Sequence, residues 1–145
     1  MEAPAKANEI RAAAAGAIAF GTALFGWVGW LVALWIAAML LDYLTGTFAA
    51  IYNKCWSSSA ARQGLWHKLG SIFAVLVAAL CDIALRVLAS ELHIYDEACV
   101  VTPVVTAWYF FTELGSITEN AAAMGAPVPK VLRRVIERSR DKADR

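Results

Sequence analysis

Charge is what this sequence has least of. Only 17% of its 145 residues are Asp, Glu, Lys or Arg, while 60% are hydrophobic; a soluble domain averages about a quarter charged and about half apolar. A soluble chain of this size would carry more apolar surface than one core can hide, so a bilayer is its natural solvent. The length leaves room for one domain and none for an enzyme beside a membrane unit. A net charge of +1 argues against a nucleic-acid partner. Ligand spacing is missing as well. Cys55, Cys81 and Cys99 form no C-x-x-C pair, and His67 and His93 fall on different connecting segments. Nothing resembles a phosphate-cradling loop, a nucleophile with its base or a zinc motif. The expectation is a protein without cofactor or metal, and not an enzyme.

What is present is apolar length. From Ala12 to Tyr52 the only charged residue is Asp42, a stretch about twice the roughly 20 residues one helix needs to cross the hydrocarbon. Lys6 and Arg11 precede this run as a signal peptide's basic region would, but the run continues far past such a segment and no flanked small-x-small cleavage site follows. Two spans are therefore expected, near 12–28 and 30–52, joined by a tight turn at Gly26-Trp27-Val28-Gly29-Trp30. The alanine-rich first segment leaves two readings open, a crossing helix or one lying in the interface. Residues 53–68 read as a polar loop with Lys54, Arg62 and Lys68 and no acid. Further spans are expected near 69–89 and 98–117, separated by an acidic loop with Glu91, Asp96 and Glu97. Gly125, Pro127 and Pro129 then end the helical run.

The predicted fold is thus all-α: an integral membrane bundle of four helices over residues 1–125, followed by a basic tail over 126–145. In that tail Val131, Leu132, Val135 and Ile136 share one face, and Arg133, Arg134, Arg138 and Arg140 lie largely around it. The tail reads as a solvated helix that fixes orientation, or as one resting on anionic lipid. Basic loops face the cytoplasm, which places the 53–68 segment and the C-terminus inside and the acidic loop outside.

Ionisable groups inside spans are the informative features, since a charge near a helix centre costs about 2.5–3.5 kcal/mol on insertion scales and such residues face a bundle interior or water. Asp42 lies mid-span without a helical partner, which points to lining water or bonding across helices; a neutral, packed carboxyl is the competing account. Asp82 and Arg86 sit one turn apart on one face, as an intrahelical salt bridge or as pore lining. Glu113 lies toward the cytoplasmic end of the last span. Asp42, Gly46, Ala49 and Ala50 form a face small enough for close helix approach and permit oligomerisation.

The order of motifs adds a resemblance. Asp42-Tyr43-Leu44-Thr45-Gly46, then Glu113-Leu114-Gly115-Ser116-Ile117-Thr118-Glu119-Asn120, then Gly125-Ala126-Pro127-Val128-Pro129 resembles the toxin-secretion and phage-lysis holins (holin family 4) over about residues 30–140. The resemblance implies a homo-oligomer in the bacterial cytoplasmic membrane that opens lesions releasing a cell-wall endolysin or a toxin. By position it implies importance for Asp42, Tyr43, Gly46, Asp82, Glu113, Ser116, Glu119 and Asn120. Arg86 and the alanine-rich 12–28 segment depart from the family's pattern. An antiholin-like regulatory subunit, or a small ion channel or transporter, shares the same features and stands as the alternative.

Overall fold

The computed structural model describes residues 26–93 and 100–144, with isolated positions between 8 and 19. Among these residues the chain is entirely helical: α1 Trp27–Tyr52, α2 Ser58–Glu91, α3 Val101–Ala123 and α4 Lys130–Ala143. Most of the expected first span, near 12–28, and the 94–99 part of the acidic loop lie outside the described residues.

Helix boundaries follow local chemistry. Gly26, with φ +56°, turns the chain immediately before α1, and its carbonyl accepts the Gly29 amide. Of the residues expected in the turn, only Gly26 stands outside the helix; Trp27 to Trp30 are already helical. At the far end the Lys54 amide bonds the Ile51 carbonyl and the Cys55 amide bonds the Ala50 carbonyl, each at 3.0 Å. This pair of bonds closes a helix whose next residue is left-handed, here Lys54 at φ +55°.

The expected loop over 53–68 is corrected: only 53–57 connect α1 to α2, and Ser58 to Lys68 are helical. The polarity of Ser58-Ser59-Ala60-Ala61-Arg62-Gln63 suggests a loop, yet proline is absent and Ala, Arg and Gln are good helix formers. These turns extend α2 to 34 residues, about 51 Å at 1.5 Å per residue, well beyond the roughly 30 Å of hydrocarbon. Likewise α3 runs past the expected end at 117 to Ala123. It stops where Gly125 takes φ +88°: the Ala126 amide bonds the Ala121 carbonyl at 3.0 Å and the Gly125 amide the Ala122 carbonyl at 2.9 Å, the Schellman arrangement.

Two helices, α1 and α2, are long and apolar enough to cross a membrane. The hub of the bundle is α3, which packs against α1 most extensively and also against α2 and α4, while α1 and α2 scarcely touch each other. Trp35 and Met39 of α1 and Val75 of α2 form the buried apolar centre, with Val105, Tyr109 and Phe110 of α3 against it. The rest of the burial is inverted relative to a water-soluble domain. Leu40 and Phe48 on α1, and Phe73, Leu80 and Ile83 on α2, are each more than half exposed. Buried instead are Ser71, Asp82, Thr102, Thr106 and Glu113. Lipid, not water, is the solvent that such an exterior suits.

Candidate functional site: a charge cluster shared by three helices

Asp42 lies ten residues before the end of α1, Lys68 ten after the start of α2, and Glu113 ten before the end of α3. Because the helices alternate in direction, all three residues stand at one level, about 15 Å from the same end of the bundle. They meet there. Lys68 Nζ donates to Asp42 Oδ2 at 2.9 Å and to Glu113 Oε2 at 2.5 Å. The other carboxylate oxygen of Asp42 accepts from Asn120 Nδ2 at 3.0 Å, and the same amide reaches Thr45 Oγ1 at 3.2 Å. Thr45 Oγ1 in turn bonds the Asp42 carbonyl at 3.1 Å. Two carboxylates share one ammonium, so the cluster carries a formal charge of −1. The three charged side chains are only 11–18% exposed. Burial of this kind is tolerable only when charges are paired and hydrogen-bonded.

Gly46, one turn beyond Asp42, makes the arrangement sterically feasible: a Cβ there would stand 3.4 Å from Asn120 Nδ2. Ala49 beside it is buried. This small-residue face, expected to permit oligomerisation, is thus partly taken up within the chain, with Asn120 of α3 against Gly46. Further toward that end of the bundle, Asn53 Nδ2, just past α1, donates to the Ala123 carbonyl at 3.1 Å, tying the ends of α1 and α3 together. Adjoining the small-residue face, between α1 and α2, lies a cleft of about 210 Å³. It is lined by Tyr43, Gly46, Ala50, Ala60, Ala61 and Gly64, with Asp42 and Lys68 among its walls.

Asp82 belongs to a different structure. Its Oδ1 accepts the Val101 amide at 3.0 Å and its Oδ2 the Thr102 amide at 2.8 Å. These are the first amides of α3, whose flanking residue, Val100, makes no side-chain cap. Pro103 has no amide to satisfy, and the Val104 amide already bonds the Val100 carbonyl. Asp82 thus caps α3 from a neighbouring helix, with its charge at the positive end of the helix dipole. Of the two readings of Asp82 and Arg86, the intrahelical salt bridge does not occur among the described residues, and Arg86 is exposed. The cap draws the carboxylate inward, away from the residue one turn on.

Of the residues singled out in the sequence, the cluster gathers Asp42, Gly46, Glu113 and Asn120, with Tyr43 on the adjoining cleft. Ser116 is half-buried on α3, and Glu119 is exposed. Lys68 and Thr45 were missed. Polarity alone puts Lys68 in a loop; the signal that finds it is the demand of two membrane-level carboxylates for a cation at the polar edge of the next apolar stretch.

The fold and the cluster define a class: an all-helical membrane protein whose apolar helices are ion-paired to one another from within. The profile of the bacteriophage holin family matches residues 19–141, and the chain belongs to that family. It is also similar to an uncharacterised protein of Clostridium perfringens, 30% identical over 132 residues, covering 88% of this chain and 90% of the relative. An uncharacterised protein of Halalkalibacterium halodurans is 33% identical over 122 residues, 84% of each chain. One from Listeria innocua is 31% identical over 124 residues, covering 83% of this chain and 81% of the relative. No solved structure matches the chain.

Proposed function

We propose that the protein is a pore-former of the bacterial cytoplasmic membrane that oligomerises and opens lesions releasing an endolysin or a toxin. Supporting this is the inverted burial, in which polar and charged groups from three helices turn inward while an apolar exterior meets lipid. Helices of this kind are stable in a bilayer while Lys68, Asp42, Glu113 and Asn120 are paired. Parting them among several copies supplies the polar walls of a hole, with Asp42, Lys68, Glu113 and Asn120 on its lining and Gly46 setting how closely α1 and α3 approach. Tyr43, Ser116 and Glu119 are assembly positions in the same reading. Asp82 holds the start of α3 in either state, and Arg86 faces lipid or a neighbouring copy.

The membrane unit is residues 1–125 and the tail 126–145. In this reading α1, α2 and α3 cross, and the segment near 12–28 is a fourth crossing that returns the N-terminus inside. Lys54, Arg62 and the basic α4 gather at one end of the bundle and Glu91 stands at the other, so the basic end is cytoplasmic. No catalytic chemistry enters: the family is a non-enzymatic one.

Expression in a bacterium, alone and beside a cytoplasmic endolysin without an export signal, tests the proposal through growth, membrane potential and uptake of an impermeant dye. Abrupt arrest with dye entry, and lysis only with the endolysin, is the expected result. Depolarisation without lysis would indicate an ion channel instead, and an intact potential would indicate an antiholin-like regulator or a transporter.

A further inference from the structure

Helix α4 docks on α3 by a narrow seam. Ile136 is 6% exposed and lies 3.8 Å from where a Cβ on Gly115 would stand. Ser139 and Ala143, at +3 and +7 from Ile136, are half-buried. This leaves apolar surface uncovered: Val131 is 69% and Val135 52% exposed.

At 100° per residue Val131, Val135, Arg138 and Lys142 form one stripe along the helix, with Arg134 beside it. Glu137 and Asp141 lie around the helix from that stripe. In all, α4 carries six basic residues and two acidic ones. A merely solvated helix has no use for two valines in the middle of its basic face, and a buried one would not surround them with arginine. Both features together suit the interface of a bilayer, where valines enter below the headgroups and Arg and Lys side chains reach phosphates.

The position agrees. The chain enters α4 after a six-residue link from the end of α3, at the end of the bundle where α1 hands over to α2 and where Lys54 and Arg62 lie. We propose that the Val131–Val135–Arg138–Lys142 face of α4 is a docking surface for the anionic leaflet of the membrane, so that surface charge of the lipid holds α4 in place and, through Ile136 on Gly115, fixes the lower half of α3. This rests on the membrane reading above and not on hole formation.

The test uses the full chain in vesicles, with Cys55, Cys81 and Cys99 replaced by serine and Val135→Cys carrying a polarity-sensitive fluorophore. In vesicles containing phosphatidylglycerol the emission should shift to the blue and be quenched by lipid-borne quenchers, and high salt should reverse both. In pure phosphatidylcholine the probe should report water. Each basic residue near an anionic surface contributes about 1 kcal/mol, so Arg134→Gln, Arg138→Gln and Lys142→Gln together should weaken docking by about a hundredfold. All three are exposed, and retained helix content and membrane insertion would show that the variant folds. Emission that is the same in both lipids overturns the proposal, as does a blue shift in phosphatidylcholine that grows with protein density, which would assign the face to a second copy. Because the probe reports lipid contact and not lysis, failure here is distinguishable from failure to form holes.

Discussion

Replacing Lys68 by methionine keeps a long, flexible side chain between the helices and removes only its charge. Asp42 and Glu113 would then face each other across the vacated position with no cation between them. Breaking a buried ion pair from one side costs about 3–5 kcal/mol, because a charge is left uncompensated. Here the side chains retain 11–18% exposure and Asp42 keeps its bond from Asn120. The lower end applies, about 3 kcal/mol, which is more than a hundredfold in the folding equilibrium. Chemical unfolding in mild detergent, followed by loss of helical signal, measures it. The decisive comparison is the triple variant Lys68→Met, Asp42→Asn, Glu113→Gln. Replacing an entire buried ionic group with uncharged residues of similar volume is often neutral, so this variant should regain most of the lost stability. A single variant as stable as the parent, or a triple variant no better than the single, would refute the reasoning that the cluster is held by charge complementarity.

Removing the cap on α3 by Asp82→Ala leaves one buried and one part-buried amide unsatisfied and should cost about 2–3 kcal/mol, with amide exchange at Val101 and Thr102 accelerating first; Arg86→Gln should leave that exchange unchanged. Gly46→Ala should be close to neutral, since about 1 kcal/mol of helix propensity offsets the tight approach to Asn120, whereas Gly46→Leu should force α1 from α3 and lower the unfolding midpoint. Gly125→Ala places a side chain at φ +88° and should cost about 1–2 kcal/mol, seen as faster proteolysis between α3 and α4. Asp42→Asn should change the time of membrane failure at equal expression; unchanged timing would count against a role for the cluster in opening.

Much of this architecture was legible in the chain, and the misses have physical causes. Apolar runs mark α1 and the central part of α2 because the bilayer demands length, and the Gly125–Pro129 break marks the end of α3 because left-handed backbone and proline leave few alternatives. Residues 58–68 misled because polarity reports the solvent around a segment and not its backbone. Those turns are helical yet too polar to read as part of a span. Asp42 and Glu113 stood out as charges in apolar surroundings. Their common partner did not, because nothing in the linear spacing of 42, 68 and 113 says that three alternating helices bring them to one level. The depth becomes visible only once α2 is known to begin at Ser58. The role of Asp82 was hidden for a similar reason: its partners are backbone amides, which leave no trace in residue identity. Arg86, four positions later, offered a more obvious and incorrect match.

The sparse contact between α1 and α2 has a mechanical consequence. Lys68 reaches from one to the Asp42 of the other, and two turns along Val75 meets Trp35 and Met39, so the two helices are joined at two levels. Sliding α1 along α2 by one turn, about 5.4 Å, would carry the Asp42 oxygen far outside the 2.9 Å at which Lys68 holds it, so axial shear is resisted from the first ångström. Toward the link between the two helices the small side chains of Gly46, Ala50, Ala61 and Gly64 leave a gap instead of an interlocked surface. The α1–α2 pair is therefore held at two levels and open only at that end.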